Sequence, residues 1–153
     1  KAPVRDMSFA LFDVLQAEAL YARLGIESAQ RDVMDAALEE AAKFNENVLA
    51  PLNSVGDREG CTHDKATGAV KTPSGFKEAY AQFVEGGWAG ITARAELGGM
   101  DLPESFGVVM KEMIDAANLS WGNYPLLSHG ATEALKHHGE PWQQEVFLKA
   151  IVE

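Results

Sequence analysis

Apolar side chains recur at helical spacing through nearly every stretch of this chain, and the pattern is densest between Leu102 and Gly139. Phe106, Val109, Met110, Met113 and Ala117 fall on one helix face. Pro103 and Glu104 open that helix: proline suits a first turn, and a carboxylate there suits the helix dipole. The period lapses across Asn118, Leu119, Ser120, Trp121, Gly122, Asn123, Tyr124 and Pro125, a run rich in helix breakers. A second helix is expected from Pro125 or Leu126 to Gly139, which reads as its C-cap. Periodicity leaves two readings of this pair. Both are plain core helices, or the bend holding Trp121 and Tyr124 forms a wall for an apolar ligand.

The same rule places the other elements. Residues 6–24 read as one helix, capped by Asp6 or Ser8, with Leu11, Phe12, Leu15, Ala19 and Ala22 inward and Gly25 at its end. Residues 28–49 read as a longer helix opened by Ser28. Met34, Ala37, Leu38, Ala41, Phe44 and Val48 form its apolar face, and Glu39 with Lys43 makes an i,i+4 pair on the other side. Pro51 ends that helix or starts a short continuation. Residues 53–72, with Gly56, Gly60 and Gly68, are the longest irregular stretch, with a small hairpin between Cys61 and Thr72 around Lys65–Gly68. Thr72-Pro73 opens a helix with Phe76, Tyr80, Phe83 and Val84 inward, and Gly86-Gly87 closes it. An extended connector follows, ending in the Gly98-Gly99 turn. A last helix starts at Pro141, with Trp142, Val146, Phe147, Ala150 and Ile151 as its apolar face. It reaches Glu153 with no stop signal, which reads as a chain continuing into something else. The expected fold is an all-α bundle of about six helices.

Composition narrows the function classes. A chain of 153 residues suits one domain with one core. The formal charge of −10 argues against nucleic acid or an anionic membrane as the main partner. No apolar run reaches the ~18 residues a membrane span needs. The sequence begins at Lys1 rather than Met, which leaves targeting unread, and a single cysteine, Cys61, points to a reduced, cytoplasmic setting. Cys61 lies in a Gly-rich polar loop, which is no setting for a nucleophile.

Few side-chain constellations suggest chemistry. Gly86-Gly87 and Gly98-Gly99 fit neither a dinucleotide fingerprint nor a P-loop and read as turns. Asp57, Glu59 and Asp64 miss the calcium-loop spacing. His129, Glu133 and His137 share one helix face at i, i+4 and i+8. That row spans ~12 Å at 1.5 Å per residue, so one ion cannot reach all three, and no metal is expected. No nucleophile and base pair can be assigned by spacing.

Several strings, in order, resemble the N-terminal helical domain of the acyl-CoA dehydrogenases. They are Ala50-Pro51-Leu52-Asn53 after a helix, Gly87-Trp88-Ala89-Gly90-Ile91, Glu96-Leu97-Gly98-Gly99-Met100, the Met110–Ala117 helix, Ser128-His129-Gly130, and Gly139-Glu140-Pro141-Trp142-Gln143-Gln144. The opening Ala2-Pro3-Val4-Arg5-Asp6-Met7 is similar to an N-terminal extension in a bacterial branch that includes enzymes similar to 3-methylthiopropionyl-CoA dehydrogenase. The resemblance implies residues 1–27 as an extension helix and 28–153 as the N-terminal domain, with a β-domain and a C-terminal helical domain to follow. It implies a flavoenzyme of fatty acid metabolism that oxidises acyl-CoA thioesters at Cα–Cβ. A glutamate takes the α-proton, FAD takes the β-hydride, and an electron-transfer flavoprotein accepts the electrons. The base and the main FAD contacts would lie beyond Glu153, so no catalytic residue is assigned and the chain alone is expected to be inactive. The bend is expected to supply an acyl-pocket wall from Asn123, Tyr124 and Leu127, with Trp121 and Gly122 beside them. A homo-oligomer is expected. The competing reading is a free-standing helical interaction module without enzymatic activity.

Overall fold

The computed structural model describes residues 1–152, and Glu153 lies outside the described residues. Six helical rods pack together, and the one sheet among the described residues has two short strands. The all-α expectation therefore holds.

The first rod is α1, Val4–Ser8, which continues in a wider π-type turn over Phe9–Val14. Gln16 then takes a left-handed φ of 51°, and α2 runs separately over Ala17–Leu24. The single helix expected over 6–24 is thus two. The turn at Leu15 and Gln16 resets the helical phase, so Ala17 and Tyr21 are buried while Leu15, Ala19 and Ala22 face out. Pro3, not Asp6 or Ser8, precedes the first turn, and the Ser8 hydroxyl instead donates to Asp35 Oδ1 at 2.7 Å.

Helix α3, Arg31–Phe44, begins later than expected because the Ser28 hydroxyl is turned to the Asp101 carbonyl. A π-type turn, Asn45–Leu49, joins it to α4, Ala50–Glu59. Pro51 therefore continues the rod. The widened winding just before it relieves the clash of its ring with the preceding turn. Residues 53–59 are helical, which shortens the irregular stretch. Lys43 pairs with Glu40 at 2.6 Å, not with Glu39; i,i+3 and i,i+4 are both within reach on a helix. The expected hairpin is present: β1, Thr62–His63, pairs antiparallel with β2, Val70–Lys71.

Helix α5 covers Phe76–Glu85. The connector after it is folded rather than extended. Two 3₁₀ turns, Trp88–Gly90 and Ala95–Leu97, are held as the Met100 and Leu102 N–H groups donate back to the Gly90 and Ile91 carbonyls at 3.0 Å each. Gly99 makes this possible: a Cβ there would stand 2.1 Å from the Ala93 carbonyl oxygen.

Helix α6 runs from Glu104–His138 with one interruption, at Asn118 (φ −161°, ψ 85°). The bend expected over eight residues is a one-residue kink, and Gly122 and Pro125 lie inside helix. The last rod comprises α7, Pro141–Gln143, a π-type turn Gln144–Leu148, and α8, Lys149–Val152. Its buried residues are Leu148 and Val152, while Trp142, Val146 and Phe147 are exposed. Of the expected apolar face, Trp142, Val146, Phe147 and Ala150 point outward and only Ile151 is half-buried, against the groove. The segment carries two apolar stripes, and the one that meets the Gly90 turn is buried.

The core centres on Trp121, which is fully buried. Its ring centroid lies 5.4 Å from Phe83, 6.1 Å from Phe44 and 6.2 Å from Tyr80, and its indole N–H donates to the Phe76 carbonyl at 3.3 Å. Offset and edge-on aromatic packing of this kind adds about 0.5–1.5 kcal/mol per pair beyond area burial.

Candidate functional site

The second half of α6 separates two concavities. A groove of about 200 Å³ lies between the two halves of α6, α5, the connector and α8. Phe83, Ile91, Met110 and Ile114 line it as apolar wall, with Gly122, Pro125, Leu126 and Ser128 along the restarted helix. Its polar lining includes Glu104, Lys111, His129 and Glu133. Gly122 lets the halves of α6 close up: a Cβ there would meet Ile114 Cγ2 at 2.9 Å and Asp115 Oδ1 at 2.8 Å.

Charges are paired around this rim. Lys111 Nζ reaches Asp115 Oδ2 at 2.6 Å, and Lys136 Nζ reaches Glu133 Oε1 at 3.1 Å. His137 Nε2 lies 3.3 Å from Glu133 Oε2, and His129 Nε2 lies 4.0 Å from Glu104 Oε2, across the kink. Burial pushes the Glu133 carboxyl up, but the Lys136 ammonium and the two flanking imidazoles outweigh it and hold the group below its ordinary value. Among the described residues no three His, Cys, Asp or Glu side chains converge to hold a metal.

The second concavity, about 380 Å³, is lined by Thr72, Phe76, Lys77, Tyr80 and Tyr124. Tyr124 meets Phe76 edge-on at 6.3 Å between centroids. Burial, and then the Cys61 thiol beside it, raise the Tyr124 phenol above its ordinary value, so it stays neutral well into the alkaline range.

The five residues expected at the acyl wall therefore separate. Trp121 belongs to the core and Gly122 to the groove. Asn123, Tyr124 and Leu127 share the outer face, at i, i+1 and i+4, and all are exposed, Leu127 to 77%. The groove residues Pro125, Leu126, His129 and Thr132 were missed. Their spacing from Gly122 is helical and was readable, had 118–125 been taken as helix. Neither concavity suits FAD. Sites for drug-sized ligands take about 300–1,000 Å³, and FAD is larger than such ligands, while the groove is smaller and the second cleft is near the lower bound.

The architecture is an α bundle in which a long helix, kinked at Asn118, presents an open face beyond the buried Trp121. The sequence model described as "Acyl-CoA dehydrogenase, N-terminal domain" matches residues 32–153, and the chain belongs to the acyl-CoA dehydrogenase family as its N-terminal domain. It is similar to the 3-methylmercaptopropionyl-CoA dehydrogenase of Ruegeria pomeroyi, 38% identical over 152 residues. That alignment covers 99% of this chain and 26% of the relative, so the chain spans about a quarter of the relative it matches.

Proposed function

We propose that this domain serves an enzyme that dehydrogenates acyl-CoA thioesters at Cα–Cβ, and that its outer α6 face forms one wall of the acyl pocket. The observation that carries the reading is the exposure of Asn123, Tyr124 and Leu127 together on the restarted half of α6, which the buried Trp121 anchors. A large apolar side chain left 77% open, beside a fully buried one on the same helix, suits a surface completed by another part of the enzyme or by substrate. Family membership supports FAD as the cofactor of the whole enzyme, with an electron-transfer flavoprotein as acceptor. The poor fit of either concavity to FAD supports placing the flavin contacts elsewhere in that enzyme. Within this reading the chain contributes shape and exclusion of water, and residues 1–27 extend the domain at its start. The relative's name makes a short thioether acyl-CoA the first substrate to test, in the cytoplasm of a bacterial cell.

Tyr124→Ala in the whole enzyme tests the wall. Each buried CH₂ contributes ~0.8 kcal/mol, so room for two more should raise kcat/KM for longer acyl-CoAs relative to short ones on the order of tenfold. A uniform loss across the acyl series, with a lowered melting temperature, would place Tyr124 in the packing instead.

A further inference from the structure

The second concavity differs from the groove in what its walls lack. Its lining of Thr72, Phe76, Lys77, Tyr80 and Tyr124 holds no carboxylate, although the chain has 23 acidic against 13 basic side chains. In the groove, Lys111 is paired with Asp115. Lys77, in the first turn of α5, has no ion-pair or hydrogen-bond partner among the described residues. The Tyr124 phenol brings no negative charge either, since burial and the neighbouring thiol keep it protonated well into the alkaline range. One ammonium therefore stands unopposed in a cleft walled by three aromatic rings.

The rings are held from behind. Phe76 is buried and meets Tyr124 edge-on, and the Tyr80 centroid lies 6.2 Å from both Phe83 and Trp121 in the core. The aromatic surface is therefore preformed, and a bound molecule has little to order besides the exposed Lys77 side chain. The volume of about 380 Å³ falls in the range of small-molecule sites.

We infer that this cleft is a binding site for a small aryl carboxylate. A flat apolar body suits the ring edges and faces of Phe76, Tyr80 and Tyr124. A carboxylate suits the two donors of the lining, the Lys77 ammonium and the Thr72 hydroxyl. A cation could stack on the rings but would meet Lys77 as like charge, and a neutral ligand would leave the ammonium without a counter-charge. The inference goes beyond the acyl wall and does not rest on it. Tyr124 borders both, so the probe is used with no acyl-CoA present.

The test is a titration of the purified, isotope-labelled chain with naphthoate, followed by the NMR shifts of its backbone amides. A probe of this size should bind with a Kd on the order of millimolar or tighter. The shifts should saturate at Thr72, Lys77, Tyr80 and Tyr124. Neutral naphthamide should bind more weakly by on the order of tenfold, because a hydrogen bond to a charged group contributes more than a neutral one. Lys77→Met should lose as much affinity for naphthoate and keep its melting temperature, because the side chain is exposed. Lys43→Met, which removes the same charge from the exposed side of α3, should bind as the wild type does. Equal affinity for acid and amide overturns the proposal, and so does wild-type affinity in Lys77→Met. Shifts that saturate along Leu126 to Glu133 of the groove instead, or none that saturate at millimolar probe, overturn it as well. None of these readouts involves acyl-CoA oxidation, so the wall proposal stands or falls separately.

Discussion

Three hydrogen bonds converge on Asn118. Its Oδ1 accepts from the Trp121 N–H at 3.1 Å and the Ser120 hydroxyl at 2.9 Å, and its amide donates to the Leu49 carbonyl at 3.4 Å. The first caps the restarted half of α6, the second fixes the Asn118 side chain, and the third ties the kink to the rod beside it. Losing a cap costs about 0.5–2 kcal/mol, and a carbonyl left buried without a partner costs about 1–3 kcal/mol. Asn118→Ala should therefore destabilise the fold by about 2–3 kcal/mol in urea titration, and Asn118→Ser, which keeps a capping oxygen and loses the amide donor, by less. Equal losses for both would mean that the cap contributes nothing. Sequence showed a break near this residue but spread it too widely. Gly122 and Pro125 look like breakers by composition, yet Gly122 is in helix because close packing on Ile114 leaves no room for a Cβ.

Elements were legible where one apolar stripe dominates. Met34, Leu38, Ala41 and Phe44 are all buried as their spacing implies, as are Phe76 and Phe83. The last rod has two stripes, and spacing alone cannot choose between them. Leu15 shows a third failure: a left-handed residue after it ends the period that its position was counted from. On the last turns of α6, Glu133 is held between His129, Lys136 and His137. Its folded-state pKa is below the ordinary 4.5, so its contribution to stability is present above the unfolded value and is lost as pH falls through the folded one. The melting temperature should drop on acidification in that range, and Glu133→Gln should shallow the drop. Some slope should persist, because Glu59, bonded by Ser74, and Asp64, bonded by Thr67 and Ala66, are also held low. An identical pH profile for Glu133→Gln would show that its ion pairs are fully screened.

At the scale of the molecule, the strings that resembled the family did what local pattern could not. Periodicity yields a helical bundle of no stated purpose; the order of short motifs yields the family, and the match over residues 32–153 bears it out. The five residues expected at the wall divide between core and surface. Asn123, Tyr124 and Leu127 do share an open face, whereas Trp121 turns inward because an indole is the largest side chain available to fill the gap between Phe44 and Phe83. Neither concavity is sized for a flavin, so the purified chain should carry no flavin and should not oxidise acyl-CoA. Its visible spectrum after incubation with FAD and desalting checks this. Retained absorbance near the ~450 nm band of flavins would move the cofactor contacts into this domain.

The kinked half of α6 has consequences for how such an enzyme diversifies. Trp121 anchors that half in the core, while Asn123 and Leu127 stand exposed and Tyr124, partly open, packs edge-on against Phe76. Substitutions at open positions usually change stability by only about 0.5 kcal/mol in either direction. If the outer face lines the acyl pocket as proposed, selection for a new acyl group can rewrite Asn123 and Leu127 while the anchor keeps the helix in place, and gene duplicates can explore substrate range through a few surface codons.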